Sequence, residues 1–194
     1  MYIGLDLSLS KTGVAFINSN GELKSHHIVK TSPKKTESER IVDIIKRLSY
    51  LLGDRSYDCC IIEDTYDRVN YEVYKKLTRL CGAVRFWFHV KYKVEADIIK
   101  ATSARKLIGL SGNCHKIDAQ LFVMGYHKLG TRGQRQKLKL AIDKVRRQYR
   151  TNRHKIKYYL NKLSKSLEKE TGLSDDEADA IVLAMAGREK YGKR

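Results

Sequence analysis

The chain has 194 residues, of which 42% are apolar, enough for one packed globule and too many for wholesale disorder. Its 39 Lys and Arg against 22 Asp and Glu leave a formal charge of +17, a field that draws polyanions, nucleic acid foremost. No stretch approaches the roughly 20 apolar residues that cross a bilayer, and Met1-Tyr2-Ile3-Gly4-Leu5-Asp6 lacks the basic-then-apolar form of a signal peptide, so a cytoplasmic protein with no membrane partner is expected.

In chain order, Tyr2 to Leu5 reads as a short strand and Gly13 to Ile17 as a second. Asn20-Gly21 is a hairpin-turn signal, because both residues tolerate positive φ. A third strand runs from about Leu23 to Thr31, completing an antiparallel meander that Pro33 closes. Glu39 to Leu52 carries Ile41, Ile44, Ile45, Leu48 and Leu52 at a helical period. Cys59 to Ile62 reads as a buried strand, Tyr71 to Val90 as a helix and Val94 to Ile98 as a further strand. Thr102 to Ile108 and Lys116 to Met124 read as helices around a Gly109-to-Gly112 turn. Between Arg132 and Leu167 the apolar spacing fits one long basic amphipathic helix, or two broken near Arg150 to Arg153. Gly172 ends this segment, and Ser174-Asp175-Asp176-Glu177 has the form of a capping box that opens a last helix to about Lys190. The order predicts a mixed α/β layer architecture.

Charge is unevenly spread. From Tyr126 to Glu170 there are 15 Lys and Arg against 3 acids. The four cysteines include the adjacent Cys59 and Cys60 and no CxxC pair, so reduced buried thiols are expected rather than a zinc site. His26 and His27 are adjacent on a strand and are expected at the surface.

Three acidic groups carry the chemistry. Asp6 closes the first strand, where a mixed sheet places ligands; the alternative is a turn-initiating Asp. Glu63 ends an apolar run and shares a face with Ile61 and Cys59, while Asp64 points the other way. Asp176 and Asp179 stand three apart, Asp175 and Asp179 four apart, so either pair shares a helical face. Asp175 and Asp176 also suit a first helical turn as ordinary dipole partners. Asp179, set between Ala178 and Ala180 before Ile181, needs a partner or a metal. Carboxylates from distant segments suit hard Mg²⁺, and two such ions can drive phosphodiester hydrolysis.

Together these residues resemble a known family. Gly4-Leu5-Asp6-Leu7-Ser8-Leu9-Ser10-Lys11-Thr12-Gly13 resembles the first-strand motif of RuvC-type Holliday junction resolvases, Ile61-Ile62-Glu63 their second acidic motif, and Asp176-Glu177-Ala178-Asp179-Ala180 their closing motif. The resemblance covers most of residues 1–124 and 173–190. It implies an RNase H-like mixed sheet flanked by helices, in a single nuclease domain over 1–194. It implies Asp6, Glu63, Asp176 and Asp179 as catalytic ligands of two Mg²⁺ ions, with Mn²⁺ able to substitute. It also implies a homodimer that nicks paired strands of four-way DNA junctions, leaving 5′-phosphate and 3′-hydroxyl ends. Tyr66 falls where the family stacks an aromatic residue at the junction centre, and Arg105 and Lys116 fall near basic positions around the cleaved phosphate.

Two departures stand out. Leu7-Ser8 replaces the Pro-Gly common after the first Asp, and the basic segment at about 126–170 is longer than in compact members. That segment is expected to be an added helical arm that grips DNA, through Arg146, Arg147 and Arg150, or extends the dimer. Such an arm suggests a phage or other mobile-element protein, acting in the host cytoplasm. Competing readings are a broader debranching nuclease, a non-catalytic DNA-binding module on the same fold, and a sugar-kinase-like phosphotransferase. The last needs two large lobes and a later Gly-rich adenosine motif, neither visible here.

Overall fold

The structure, a computed structural model, describes residues 1–64 and 70–192. Tyr66 therefore lies outside the described residues. Strands β1 (Tyr2–Asp6), β2 (Lys11–Ile17) and β3 (Leu23–Lys30) form the antiparallel meander expected from the sequence. Its first turn is fastened by Asn18, whose carbonyl accepts from Gly21 N at 3.0 Å while Gly21 takes φ +84°. Helix α1 (Glu37–Leu52) follows, opened by a Thr36–Glu39 capping box two residues earlier than its apolar period implied. Strand β4 (Cys59–Glu63) then enters parallel to β1, and after helix α2 (Tyr71–Tyr92) strand β5 (Ala96–Ile99) enters parallel to β4. The sheet order is β3-β2-β1-β4-β5.

The rest of the chain is helical: α3 (Ala101–Leu107), α4 (Lys116–Tyr126), α5 (Arg132–Gln148), α6 (Arg153–Thr171) and α7 (Asp175–Tyr191). The basic segment is thus two helices. Asn152 accepts from Lys155 N at 3.0 Å and caps α6, starting a new helix where the apolar period alone left one or two open. Among the described residues no helix is long and apolar enough to cross a membrane.

Side-chain alternation divides the core between the two faces of the sheet. Ile3, Leu5, Phe16, Cys60 and Ile62 pack with α1 and α2 through Ile44, Leu48, Leu80, Val84 and Phe88. Tyr2, Ala15, Ile17, Cys59 and Ile61 pack with α7, whose residues Ala180 to Gly187 are all buried. A helix buried on every side must lie very close to the sheet. Gly4 and Gly13 permit this: a Cβ on Gly4 would stand 1.9 Å from the Ala180 carbonyl oxygen, and one on Gly13 2.2 Å from that of Asp176. The Thr-Gly pair after the first acidic strand therefore has a packing cause. His26 and His27 are not surface residues as the sequence suggested; both are half-buried, and His26 Nδ1 lies 2.8 Å from Glu177 Oε1 on α7.

Candidate active site

Period-two alternation puts Asp6 on the same face as Gly4, and Glu63 on the same face as Ile61 and Cys59, which is the face covered by α7. β1 and β4 are parallel neighbours, paired through Leu5 and Ile62, so these two acids end adjacent strands side by side. β2 is held against β1 at Asp6 and Gly13, and Gly13 lies under the backbone of Asp176. The first turn of α7 thus comes down over the ends of the two acidic strands. Its N-terminus is fixed by Ser174, whose hydroxyl accepts from Glu177 N at 3.2 Å and donates to Glu177 Oε2 at 2.8 Å.

The turn after β1 is closed without Pro-Gly. Thr12 is fully buried; its hydroxyl donates to Ser8 O at 2.8 Å and accepts from Ser8 N at 3.2 Å. Leu7 and Leu9 point inward and anchor the same loop.

The electrostatics report how closely the acids gather. Burial, then the charges of Glu63, Asp179 and Asp176, hold the Asp6 carboxyl well above the usual carboxylate range. Burial and Asp179 push Glu63 up to about 7, against the opposing pull of Arg105. Burial and Asp175 raise Asp176, with Lys11 opposing. Asp179 is raised by burial even though Arg105 pulls it down. The four acids named from the sequence are therefore close enough to repel one another.

Two cations answer that repulsion. Arg105 Nη2 donates to Asp179 Oδ1 at 3.1 Å, with the two side chains only 14% and 20% exposed. Its Nη1 donates to the Cys114 carbonyl at 3.2 Å, and its buried Nε has no partner among the described residues. Lys116 Nζ donates to Asp175 Oδ2. Both residues singled out from the sequence as phosphate-side cations thus lie against the carboxylates. Lys11, not singled out, faces Asp176 electrostatically; its position two residues before Gly13 already put it on the α7 face.

Among the described residues no three carboxylate, imidazole or thiol groups converge tightly enough to cage a metal ion as placed. The donor chemistry nonetheless fits a hard divalent cation, for several desolvated carboxylates face one another with two cations among them. Asp64, on the opposite face, donates its backbone N–H to Ile99 O at 3.0 Å.

Of the expected arm residues, Arg146 Nη2 donates to Asp118 Oδ2 at 2.6 Å, tying α5 to the first turn of α4. Arg147 Nε donates to the Asp143 carbonyl at 3.3 Å, and Arg150 is exposed.

By sequence the chain matches no protein-family model and no curated protein. By structure it is similar to Thermus thermophilus RuvC in complex with Holliday junction substrate, at 17% identity and a TM-score of 0.65, over 95% of this chain and 89% of that one. It is also similar to a second Thermus thermophilus RuvC structure, at 18% identity and a TM-score of 0.63, over 95% of this chain and 90% of that one. The mixed five-stranded sheet with helices on both faces is the RNase H-like fold of RuvC.

Proposed function

We propose that the protein is a metal-dependent endonuclease that resolves four-way DNA junctions, one nuclease domain carrying the α5–α6 hairpin as a basic insertion. One observation carries the reading: Asp6 and Glu63 end neighbouring strands beneath the N-terminal part of α7, which bears Asp176 and Asp179, on the fold of RuvC. The similar structure that holds a Holliday junction substrate supports branched DNA as the partner.

Asp6, Glu63, Asp176 and Asp179 are the oxygen donors that would hold two Mg²⁺ ions, with Mn²⁺ able to replace them. When bound, the ions supply activation of water and stabilisation of the leaving oxygen in phosphodiester hydrolysis. The chain's own residues do the remaining work. Partial burial and mutual repulsion hold the Asp6 and Glu63 carboxyls above the usual carboxylate range, a cost that a divalent cation bound between them would relieve. Arg105, Lys116 and Lys11, already beside the carboxylates, are cations that would face a phosphate bound there. Paired nicks require two such sites, so the active species is a homodimer.

Incubation of purified protein with a labelled four-way junction, a Y-fork and linear duplex, with and without Mg²⁺, tests the reading. Symmetric Mg²⁺-dependent nicks confined to the junction are expected. Equal cutting of fork and junction would turn the reading to a broader debranching nuclease. Binding without cutting in Mg²⁺ and in Mn²⁺ would reduce the protein to a DNA-binding module.

A further inference from the structure

The tip of the α5–α6 hairpin combines charge with aromatic surface in a way the carboxylate site does not use. Between Asp143 and Glu168 the chain has no acid and nine Lys and Arg. Three tyrosines stand among them. Tyr149 and Tyr159 stack with centroids 4.8 Å apart at 5°, and Tyr158 meets Tyr159 edge-on at 5.1 Å and 83°. Lys155 Nζ lies 5.9 Å from the Tyr149 ring centroid. Tyr158 is 64% exposed, so its ring is held by a neighbour yet buried in no core. Among the described residues no carboxylate pairs with Arg150, Arg153 or Lys157, all exposed.

The hairpin's neighbours fix where this tip stands. Ser164 on α6 bonds Gln120 on α4 at 2.7 Å, and further toward the tip Asn161 shares a hydrogen bond with His115, the N-cap of α4. Arg146 meets Asp118 in the same turn of α4. The hairpin thus runs along α4 toward its N-terminus and continues past it. That end of α4 carries Lys116, which bonds Asp175, so it is the carboxylate end of the molecule. At 1.5 Å per residue, α6 extends roughly 12 Å from Asn161 to its first residue, Arg153.

We propose that this tip is a second DNA-binding site, distinct from the carboxylates, which takes an unpaired base on the Tyr158 ring. Arg150, Arg153 and Lys157, exposed on the same tip, meet phosphates of that strand. A base inside a duplex has both faces covered and offers nothing to an exposed ring, whereas a base freed at a branch can stack on one. The edge contact with Tyr159 keeps the Tyr158 ring ordered before a base arrives, which lowers the entropy lost on binding. The proposal rests on the branched-DNA reading for its substrate, but its test needs no cleavage.

The experiment uses full-length protein in EDTA and three labelled probes: a Y-fork, a four-way junction with 2-aminopurine beside the crossover, and linear duplex. Tyr158→Ala should weaken fork binding roughly 5- to 150-fold, the range covered by a lost base–aromatic stack, and leave duplex affinity within about two-fold. Tyr158→Phe should restore the fork affinity. Wild type should change the 2-aminopurine emission on binding, and Tyr158→Ala should not. Equal losses on fork and duplex, or no loss on either, would overturn the site. Should Tyr158→Ala fail to fold, an unchanged 2-aminopurine signal with wild type alone would overturn it. If the Tyr158 effect appears but Mg²⁺ elicits no nicks, the nuclease reading falls and this site stands. If junctions are cut and Tyr158→Ala binds forks as wild type does, only this site falls.

Discussion

The acidic end of the molecule and the basic hairpin beside it are built by opposite rules. The carboxylates come from three segments far apart in the chain, meet where α7 crosses the ends of β1 and β4, and perturb one another. The cations of the hairpin come from one continuous segment and most stay exposed. A site that must gather like charges in a fixed geometry needs the whole fold to hold it. A surface that must attract a polyanion needs only charge density. Chemistry and affinity should therefore come apart under mutation.

The largest separation is expected at Asp6. Asp6→Asn or Glu63→Gln should cut the nicking rate by roughly 10²- to 10³-fold or more, the range for loss of one preorganised electrostatic contact, while junction affinity in EDTA stays within a few-fold. Single-turnover cleavage and a gel-shift titration measure the two sides. The converse belongs to the hairpin. Arg150→Gln with Arg153→Gln should weaken all DNA and lower the slope of log affinity against log salt by up to about two. Arg146→Glu is a poorer probe of DNA contact, because it would set a second acid against Asp118 and loosen α4.

Arg105 joins the two halves of the comparison. Its pairing with Asp179 is partly exposed, so Arg105→Ala should cost about 2 kcal/mol, short of the roughly 3–5 kcal/mol of a fully buried pair. That corresponds to a fall in Tm of roughly 4–8 °C for a chain of this size, partly recovered on adding Mg²⁺. Arg105→Lys should recover part of the Tm, since a point charge replaces the guanidinium's two contacts, to Asp179 and to the Cys114 carbonyl.

The smallest effect is in pH. The raised groups, Asp6 and Glu63, bind protons more tightly folded than unfolded, so their contribution to stability is complete at low pH and is lost as pH rises through the folded value, about 7 for Glu63. The metal-free protein should lose Tm between about pH 5 and pH 8, and Mg²⁺ should stabilise it most at the upper end. Asp6→Asn should flatten that slope. A Tm that rises over this window in EDTA would contradict the crowding of the carboxylates.

The same contrast explains what the sequence made legible. Asp6 and Glu63 stood out because each breaks an apolar strand abruptly, and the face of Glu63 followed from alternation. The Ser174 box announced the start of α7 through its residue types. The pairing of Arg105 with Asp179 spans 74 residues and leaves no periodic trace. The burial of α7 was written in Gly4 and Gly13, but a glycine in a strand signals close approach without saying to what. The break between α5 and α6 falls at the Arg150-to-Arg153 position that the sequence offered as one of two alternatives; apolar spacing alone did not decide between them, and the Asn152 cap does. His26 was misread because its partner, Glu177, lies 151 residues away on the helix that covers the sheet.

Mn²⁺ titration followed by electron paramagnetic resonance, on wild type and on Asp6→Asn and Asp179→Asn, tests the convergence of acids most directly. Two tightly bound Mn²⁺ per chain in wild type, with at least one lost in each variant, is the expected result. Binding no stronger than a surface background, or identical in all three proteins, would contradict it.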